Sequence, residues 1–518
     1  MHFFFRTNFN RNIGLGHIIR SLRLFNELKK NNICKIYIDK YDESISNLIP
    51  KIICEELYKK KKFNSQIEDA KLFLSKIKKF KKGYVVIDDY RLDATWEKIL
   101  SDNNFKIITL DDLENRAHYA DFIINYDTQY LDKKEYSFKL NKKKDGRYLL
   151  GPRYCILPKI PTLKKIKRKN TSFFITMYMG GGGNLLAISH LIKQLQKKIK
   201  KNIFINVIIG PLSKNKNLII KLCENNKNII PIENCANLID IYRKSDLFIG
   251  AAGTSVFETA VTKLPSILIS MAKNQMTNVL SLEKIGHYFF LKNSEIKDIK
   301  KLSELIYIMT REYKRVEFLT KSAESKINDK GIKNIKQAIL DKKSRKKNII
   351  QNKTSDKKKN LVVRSVNDTD INDYLISRNL PMNVNHSSNK KEILAIDHYI
   401  WWFKNNRKSY VLLKKGKKIL YFYEQKIFTI LNKDFYISGW FACSKECSIK
   451  EIIFALNWQR YQKKHINWVS FIKKNNKLSI YLSKYLGWKI MKKTSSALEK
   501  LKLTFKINEK KFIFYERT

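Results

Sequence analysis

The sequence predicts an α/β protein with two parallel sheets in tandem, followed by a smaller α+β block. Three observations carry this expectation. Short apolar runs rich in Val, Ile and Phe alternate with helically spaced stretches from residue 1 to about 155 and again from about 171 to 340, as in buried parallel sheets. The basic segment DKKSRKKNIIQNKTSDKKKN, residues 341–360, then breaks the pattern and reads as a solvated linker. Beyond it, SYVLLKKGKKILYFYE, KIFTILNKDFYISGWFA and HINWVSFIKKNN have the texture of antiparallel strands. The expected domains are therefore 1–157, 158–340 and 361–518, and a chain of 518 residues is indeed too long for one core.

Taken in order, HFFFR is a buried strand, followed by the glycine turn IGLGH and a helix from His17 to Lys30 with Ile18, Leu22, Leu24 and Leu28 at helical spacing. CKIYID, GYVVIDDY, KIITLDD and DFIINY are further strands of the first sheet. SFFITMYMG, IFINVIIG, DLFIGAA and SILIS are those of the second.

Ligands of parallel sheets bind beyond the carboxyl ends of the strands, so three glycine-bearing turns mark the candidate site. They are IGLGH (Gly14, Gly16), MGGGGN (Gly180, Gly181, Asn184) and GAAGTSVFETA. None is a Walker A loop or a complete dinucleotide fingerprint. In the third turn the amides of Gly253, Thr254 and Ser255 open a helix, an arrangement suited to a diphosphate. Glu258, one turn later, is placed to accept hydrogen bonds from both hydroxyls of a ribose, with a surface role as the bland alternative. Asn274 and Gln275, in MAKNQ, add neutral hydrogen-bonding groups.

His17 falls in the first turn of a helix, where the dipole disfavours an imidazolium. A neutral imidazole there suits a base that activates water, although many such histidines merely cap a turn. Asp88, Asp89 and Tyr90 end one apolar strand, and Asp111 and Asp112 end the next. Paired aspartates can hold a metal, yet as strand-end caps they need none. The sequence suggests no partners for His118, His190 and His465.

The formal net charge is +55. Lysines are spread over the whole chain among Asn, Ile, Tyr and Phe, which reads as a compositional bias of solvated faces and not as a nucleic-acid patch. The seven cysteines show no framework spacing, which fits a reducing cytoplasm. Cys443 and Cys447 lack the spacing of a zinc site. No apolar run of about 18 residues and no leader pattern occurs, so neither a membrane span nor stable membrane association is expected.

With these residues in view, the first 330 or so positions resemble a known family. FRTNFNRNIGLGHIIRSLRL, VVIDDY, TLDDLENRAHYADFIIN, LLGPRYCIL, MYMGGGGN and GAAGTSVFETAVTKLPSILISMAKNQ, in that order, resemble the UDP-2,4-diacetamido-2,4,6-trideoxy-beta-L-altropyranose hydrolases of pseudaminic acid biosynthesis, relatives of the GT-B glycosyltransferases. The resemblance implies two Rossmann-like domains in GT-B arrangement, UDP held mainly by the second and the sugar facing the first. It implies that His17 and Tyr90 are catalytic. Arg6 and Asp89, near the ends of the first and third strands, are expected among the substrate-binding residues. Water then attacks the anomeric carbon with inversion, UDP leaves, and neither metal nor cofactor is required. One departure is that Gly182 and Gly183 stand where the family usually has a hydroxyl and a carboxylate.

The last block resembles the GNAT N-acetyltransferases through SRNLPMNVNHSS, AIDHYIWWFKNN and NNKLSIYLSKYLGWK, with Asn476, Gly487 and Trp488. That implies acetyl-CoA as donor and other enzymes of the sugar pathway as partners. GNAT domains cradle the donor pyrophosphate on a glycine-bearing turn, whereas CSKECSIKEIIF here contains no glycine. The competing readings are a GT-B glycosyltransferase using an acceptor other than water and a non-enzymatic polyanion binder.

Overall fold

In a computed structural model of the chain, the described residues are all except 11–13, 59–61, 132–135, 137–139, 161–171, 199–201, 234, 236, 273, 274, 277, 278, 341–360, 388–390, 463–465, 508 and 518. The expected linker at 341–360 thus lies outside them. The chain divides into two compact units, Met1–Lys347 and Asn348–Thr518.

The first unit contains two parallel sheets. In one, β1 (His2–Thr7), β2 (Ile33–Ile38), β3 (Cys54–Glu56), β4 (Gly83–Asp88), β5 (Phe105–Leu110), β6 (Phe122–Asn125) and β7 (Arg147–Leu150) are ordered β3-β2-β1-β4-β5-β6-β7. The other comprises β8 (Phe173–Tyr178), β9 (Ile203–Ile209), β10 (Ile229–Glu233), β11 (Leu247–Ala251), β12 (Ser266–Ser270) and β13 (Phe289–Lys292), ordered β10-β9-β8-β11-β12-β13. Every pairing in both is parallel. Phe3 and Phe5 point into one apolar layer and Phe4 into the other, the period-2 alternation of a sheet covered on both faces.

Strand order reverses between β1 and β4 and between β8 and β11. At such a switch point the loops leave in opposite directions and open a crevice at the carboxyl edge. The turn with Gly14 follows β1, Asp88 and Tyr90 end and follow β4, Gly180 follows β8, and Gly253 follows β11. Both crevices are therefore furnished by the residues singled out from the sequence. The expected strands form; the edge strands β3, β7, β10 and β13, only three to five residues long, add to them.

One element departs from the linear domain reading. The helix Gly331–Leu340, within the expected second domain, packs Ile335 and Ile339 into the core of the first sheet. Its i,i+4 apolar pair finds the exposed flank of the helix Gly16–Leu28 and closes the unit.

In the second unit, β14 (Leu361–Ser365), β15 (Lys408–Lys414), β16 (Lys417–Ile430), β17 (Lys433–Ala442), β18 (Asn467–Lys473), β19 (Lys489–Ile490) and β20 (Phe512–Arg517) are ordered β14-β15-β16-β17-β18-β20-β19. The ladders are antiparallel except for β17 and β18, which run parallel and pair only from Phe435–Asn467 to Ile437–Val469. Beyond Ile437 the two strands part, and a cavity of about 430 Å³ opens between them. Among the described residues, no helix is long and apolar enough to cross a membrane.

Candidate active site

The helix Gly16–Leu28 is amphipathic, but its buried face carries His17 and Arg20 as well as Ile18, Leu24 and Phe25. Residues three apart share a face, so His17 and Arg20 both turn toward the end of β4. There Asp88 Oδ1 lies 2.6 Å from His17 Nδ1, and the Asp88 carbonyl oxygen lies 3.2 Å from the same nitrogen. Both are acceptors, so Nδ1 carries the proton and Nε2 remains as the basic nitrogen. Arg20 donates to both Asp88 oxygens, at 2.5 and 2.6 Å. Burial pushes the Asp88 carboxyl up, but Arg20 and His17 outweigh it and hold it at about 2.

Tyr90 packs edge-on against His17, with ring centroids 4.4 Å apart, and donates to Asp112 Oδ1 at 2.7 Å. Arg20 reaches the other Asp112 oxygen at 2.9 Å. His17, Tyr90, Asp88, Asp112 and Arg20 are thus one network fixed by two strand ends and one helix face.

This network borders a cleft of about 840 Å³ whose opposite wall comes from the second sheet. Gly14, Gly16, His17 and Tyr90 line one side. Gly180, Gly181, Asn184, Gly253, Thr254, Ser255, Glu258 and Gln275 line the other. Gly14 (φ +79°) and Gly180 (φ +84°) adopt left-handed backbone, and a Cβ at either would meet nothing within 4 Å, so both leave open space for a ligand. Gly181 differs: a Cβ there would lie 2.7 Å from the Leu15 side chain, so its lack of a side chain lets the two lobes approach.

Glu258 is 2 % exposed. Its Oε1 accepts from Arg23 of the first lobe at 2.5 Å, while Oε2 has no hydrogen-bond partner. A buried unpaired carboxylate oxygen is costly, and here it borders a cleft. Asn184 is less available, because its Oδ1 already accepts from Leu186 N and Asn215 Nδ2. Gln275 Oε1 accepts from Met271 N. Asn274 lies outside the described residues.

Two expected binding residues are not in the cleft. Arg6 is fully buried, paired with Asp69 at 2.6 Å and Asp39 at 2.5 Å. Asp89 pairs with Arg91 at 2.5 Å and accepts from the Arg91 backbone amide. Adjacent residues at a strand end point to opposite sides, so Asp88 meets the cleft helix while Asp89 joins a buried ion cluster on the far face. Arg20, Arg23 and Tyr126, which the sequence reading passed over, do line the cleft. Their signal was faint but present, since Arg20 and Arg23 follow His17 at steps of three.

His118, for which the sequence suggested no partner, is buried between Glu97, whose Oε1 lies 2.8 Å from Nδ1, and Asp111, 3.5 Å from Nε2. The second contact is an ion pair without hydrogen-bond geometry. Burial disfavours the charged ring, but Asp111 and Glu97 outweigh it and raise His118 to about 9. The folded value exceeds the ordinary one near 6.5, so the stabilisation is complete below about pH 6.5 and fades as the pH rises toward 9. Denaturant unfolding is expected to lose on the order of 1 kcal/mol between pH 7 and 9.5, and His118→Gln should flatten that decline; an unchanged slope would rule the cluster out as its source.

Among the described residues, no group of three or more His, Cys, Asp or Glu side chains is arranged to hold a metal ion.

Residues 176–359 match the family model of the glycosyltransferase family 28 C-terminal domain. An uncharacterized protein, MJ1062 of Methanocaldococcus jannaschii, is 26% identical over 503 residues, which cover 93% of this chain and 95% of that one. The UDP-2,4-diacetamido-2,4,6-trideoxy-beta-L-altropyranose hydrolase of Campylobacter jejuni is 23% identical over 291 residues, 55% of this chain and 98% of the hydrolase. Among solved structures, an N-acetyltransferase from Staphylococcus aureus Mu50 covers 30% of this chain and 98% of its own, with a TM-score of 0.24 and 16% identity. The chain therefore joins a unit of two parallel sheets, similar to the altropyranose hydrolase and matching the glycosyltransferase family 28 C-terminal model in its second half, to a separate α+β unit.

Proposed function

We propose that the first unit hydrolyses a UDP-linked diacetamido-trideoxy sugar to the free sugar and UDP, as a step in making a nonulosonic acid of the pseudaminic type. The observation that carries this reading is the His17–Asp88 contact at 2.6 Å on the wall of the cleft. Asp88 fixes the imidazole with Nδ1 protonated, so Nε2 takes a proton from water. The water oxygen bonds to the anomeric carbon as the bond from that carbon to the diphosphate oxygen breaks, and the electron pair leaves with UDP. Attack from the face opposite the leaving group inverts the anomeric centre. Glu258 Oε2 accepts from the ribose hydroxyls, and the turn Gly253–Ser255 receives the diphosphate.

The test is UDP release in oxygen-18 water from the purified chain without acceptor. Heavy oxygen on the sugar supports hydrolysis. The match to a glycosyltransferase family favours a second reading, transfer to an acceptor other than water, and UDP release that appears only when an acceptor is added would select it.

For the second unit the proposal is transfer of an acetyl group from acetyl-CoA to a 4-amino UDP-sugar, the step that would precede the hydrolysis. The amine nitrogen bonds to the thioester carbonyl carbon, the carbon–sulfur bond breaks, and the amine proton goes to the departing thiolate. Segment 443–448 has no glycine, so donor binding there is expected to be weak. A thermal-shift titration should still respond to millimolar acetyl-CoA, and a flat response would count against the transferase.

A further inference from the structure

We infer that the cavity of the second unit is a nucleoside-diphosphate site in which Arg460 and Arg517 hold the phosphates and Gln459 donates a further hydrogen bond. Naming the ligand as a UDP-linked amino sugar rests on the transferase reading above; the site itself rests on the following geometry.

The cavity opens where β17 and β18 diverge. Its wall includes Tyr423, Trp440 and Trp468 beside Arg460 and Arg517, and no carboxylate occurs among the described residues that line it. Sheet register sets Arg517 opposite Trp468, while Gln459 and Arg460 are consecutive in the last turn of the helix Ile449–Tyr461. Ser438 Oγ donates to Gln459 Oε1 at 2.9 Å. This fixes the carboxamide, whose Nε2 is buried without a partner; the residue is 3 % exposed. A buried donor left unpaired is costly, and a ligand acceptor removes that cost.

Neither Arg460 nor Arg517 makes an ion pair among the described residues. Burial first, then the neighbouring Arg460 charge, hold the Arg517 guanidinium below its usual value. Two unneutralised guanidiniums beside aromatic surface fit an anion with a flat ring system, and arginine forks match phosphate oxygens bidentately. A cavity of this size accommodates such a ligand.

The same chemistry could come from the adenosine diphosphate portion of coenzyme A or from a UDP-sugar. The arginine wall lies at the C-terminal end of the helix Ile449–Tyr461, about 18 Å along its axis from the N-terminus, beside the segment where the GNAT resemblance implies the donor pyrophosphate.

The test is equilibrium dialysis of the full chain with labelled UDP in the presence of saturating coenzyme A. Wild-type protein is expected to bind two UDP per chain, Glu258→Gln to weaken one, and Arg460→Gln/Arg517→Gln to weaken the other by about tenfold or more. Thermal unfolding and far-ultraviolet circular dichroism of the double variant that match wild type show that the second unit is folded. A single equivalent lost in Glu258→Gln overturns the inference and spares the hydrolase reading. Two equivalents unaffected by the double substitution, or a second one displaced by coenzyme A, overturn it as well. A second equivalent in a chain without acetyl transfer supports the site and removes only the transferase reading.

Discussion

His17→Ala is expected to lower UDP release from the diacetamido-trideoxy UDP-sugar by about 10²–10⁴-fold, the usual contribution of a positioned general base, while leaving UDP affinity largely unchanged. The asymmetry follows from the division of labour in the cleft. His17 and the network of Asp88, Arg20, Tyr90 and Asp112 belong to the first sheet, whereas the nucleotide is proposed to sit on the turn Gly253–Ser255 and on Glu258 of the second. Steady-state kinetics paired with calorimetric titration of UDP separate the two effects. Loss of turnover and affinity together would mean that His17 binds substrate or holds the fold, and the base assignment would then fall.

The second large effect is expected at Glu258. Glu258→Gln should weaken UDP binding by about 10–100-fold, the worth of hydrogen bonds to a charged group, with a smaller change in turnover at saturating substrate. Arg23→Ala provides the contrast. It removes the 2.5 Å ion pair to Oε1 but leaves the Glu258 carboxylate for the ribose, so its loss of affinity should be distinctly smaller. Equal losses in both variants would show that Glu258 acts only as a tie between the lobes.

The resemblance to the hydrolase and the pattern of apolar runs made the glycine turns, His17, Tyr90 and Glu258 legible, and all of these line the cleft. Strand ends are ambiguous in the sequence where two neighbouring polar residues compete. Asp89 is expected among the ligand groups, whereas its neighbour Asp88 holds the histidine. Arg6, near the carboxyl end of β1, is sealed in a cluster with Asp39 and Asp69. One-residue alternation places such neighbours on opposite faces, and a strand buried on both faces gives no polar–apolar alternation from which to read the face.

By itself, the sequence determined the local matters: which segments become strands and helices, where glycine lets the backbone turn toward open space, and that an imidazole sits in the first turn of a helix. These depend on periodicity and backbone sterics within a few residues. The tertiary structure alone decided which polar groups meet. Arg23 and Glu258 are 235 positions apart and Arg20 and Asp88 are 68 apart, and burial decides that such charges must pair because an isolated charge away from water is costly. The same physics returned the helix Gly331–Leu340 to the first lobe, since the partner for an apolar face is fixed by packing and not by nearness in the chain.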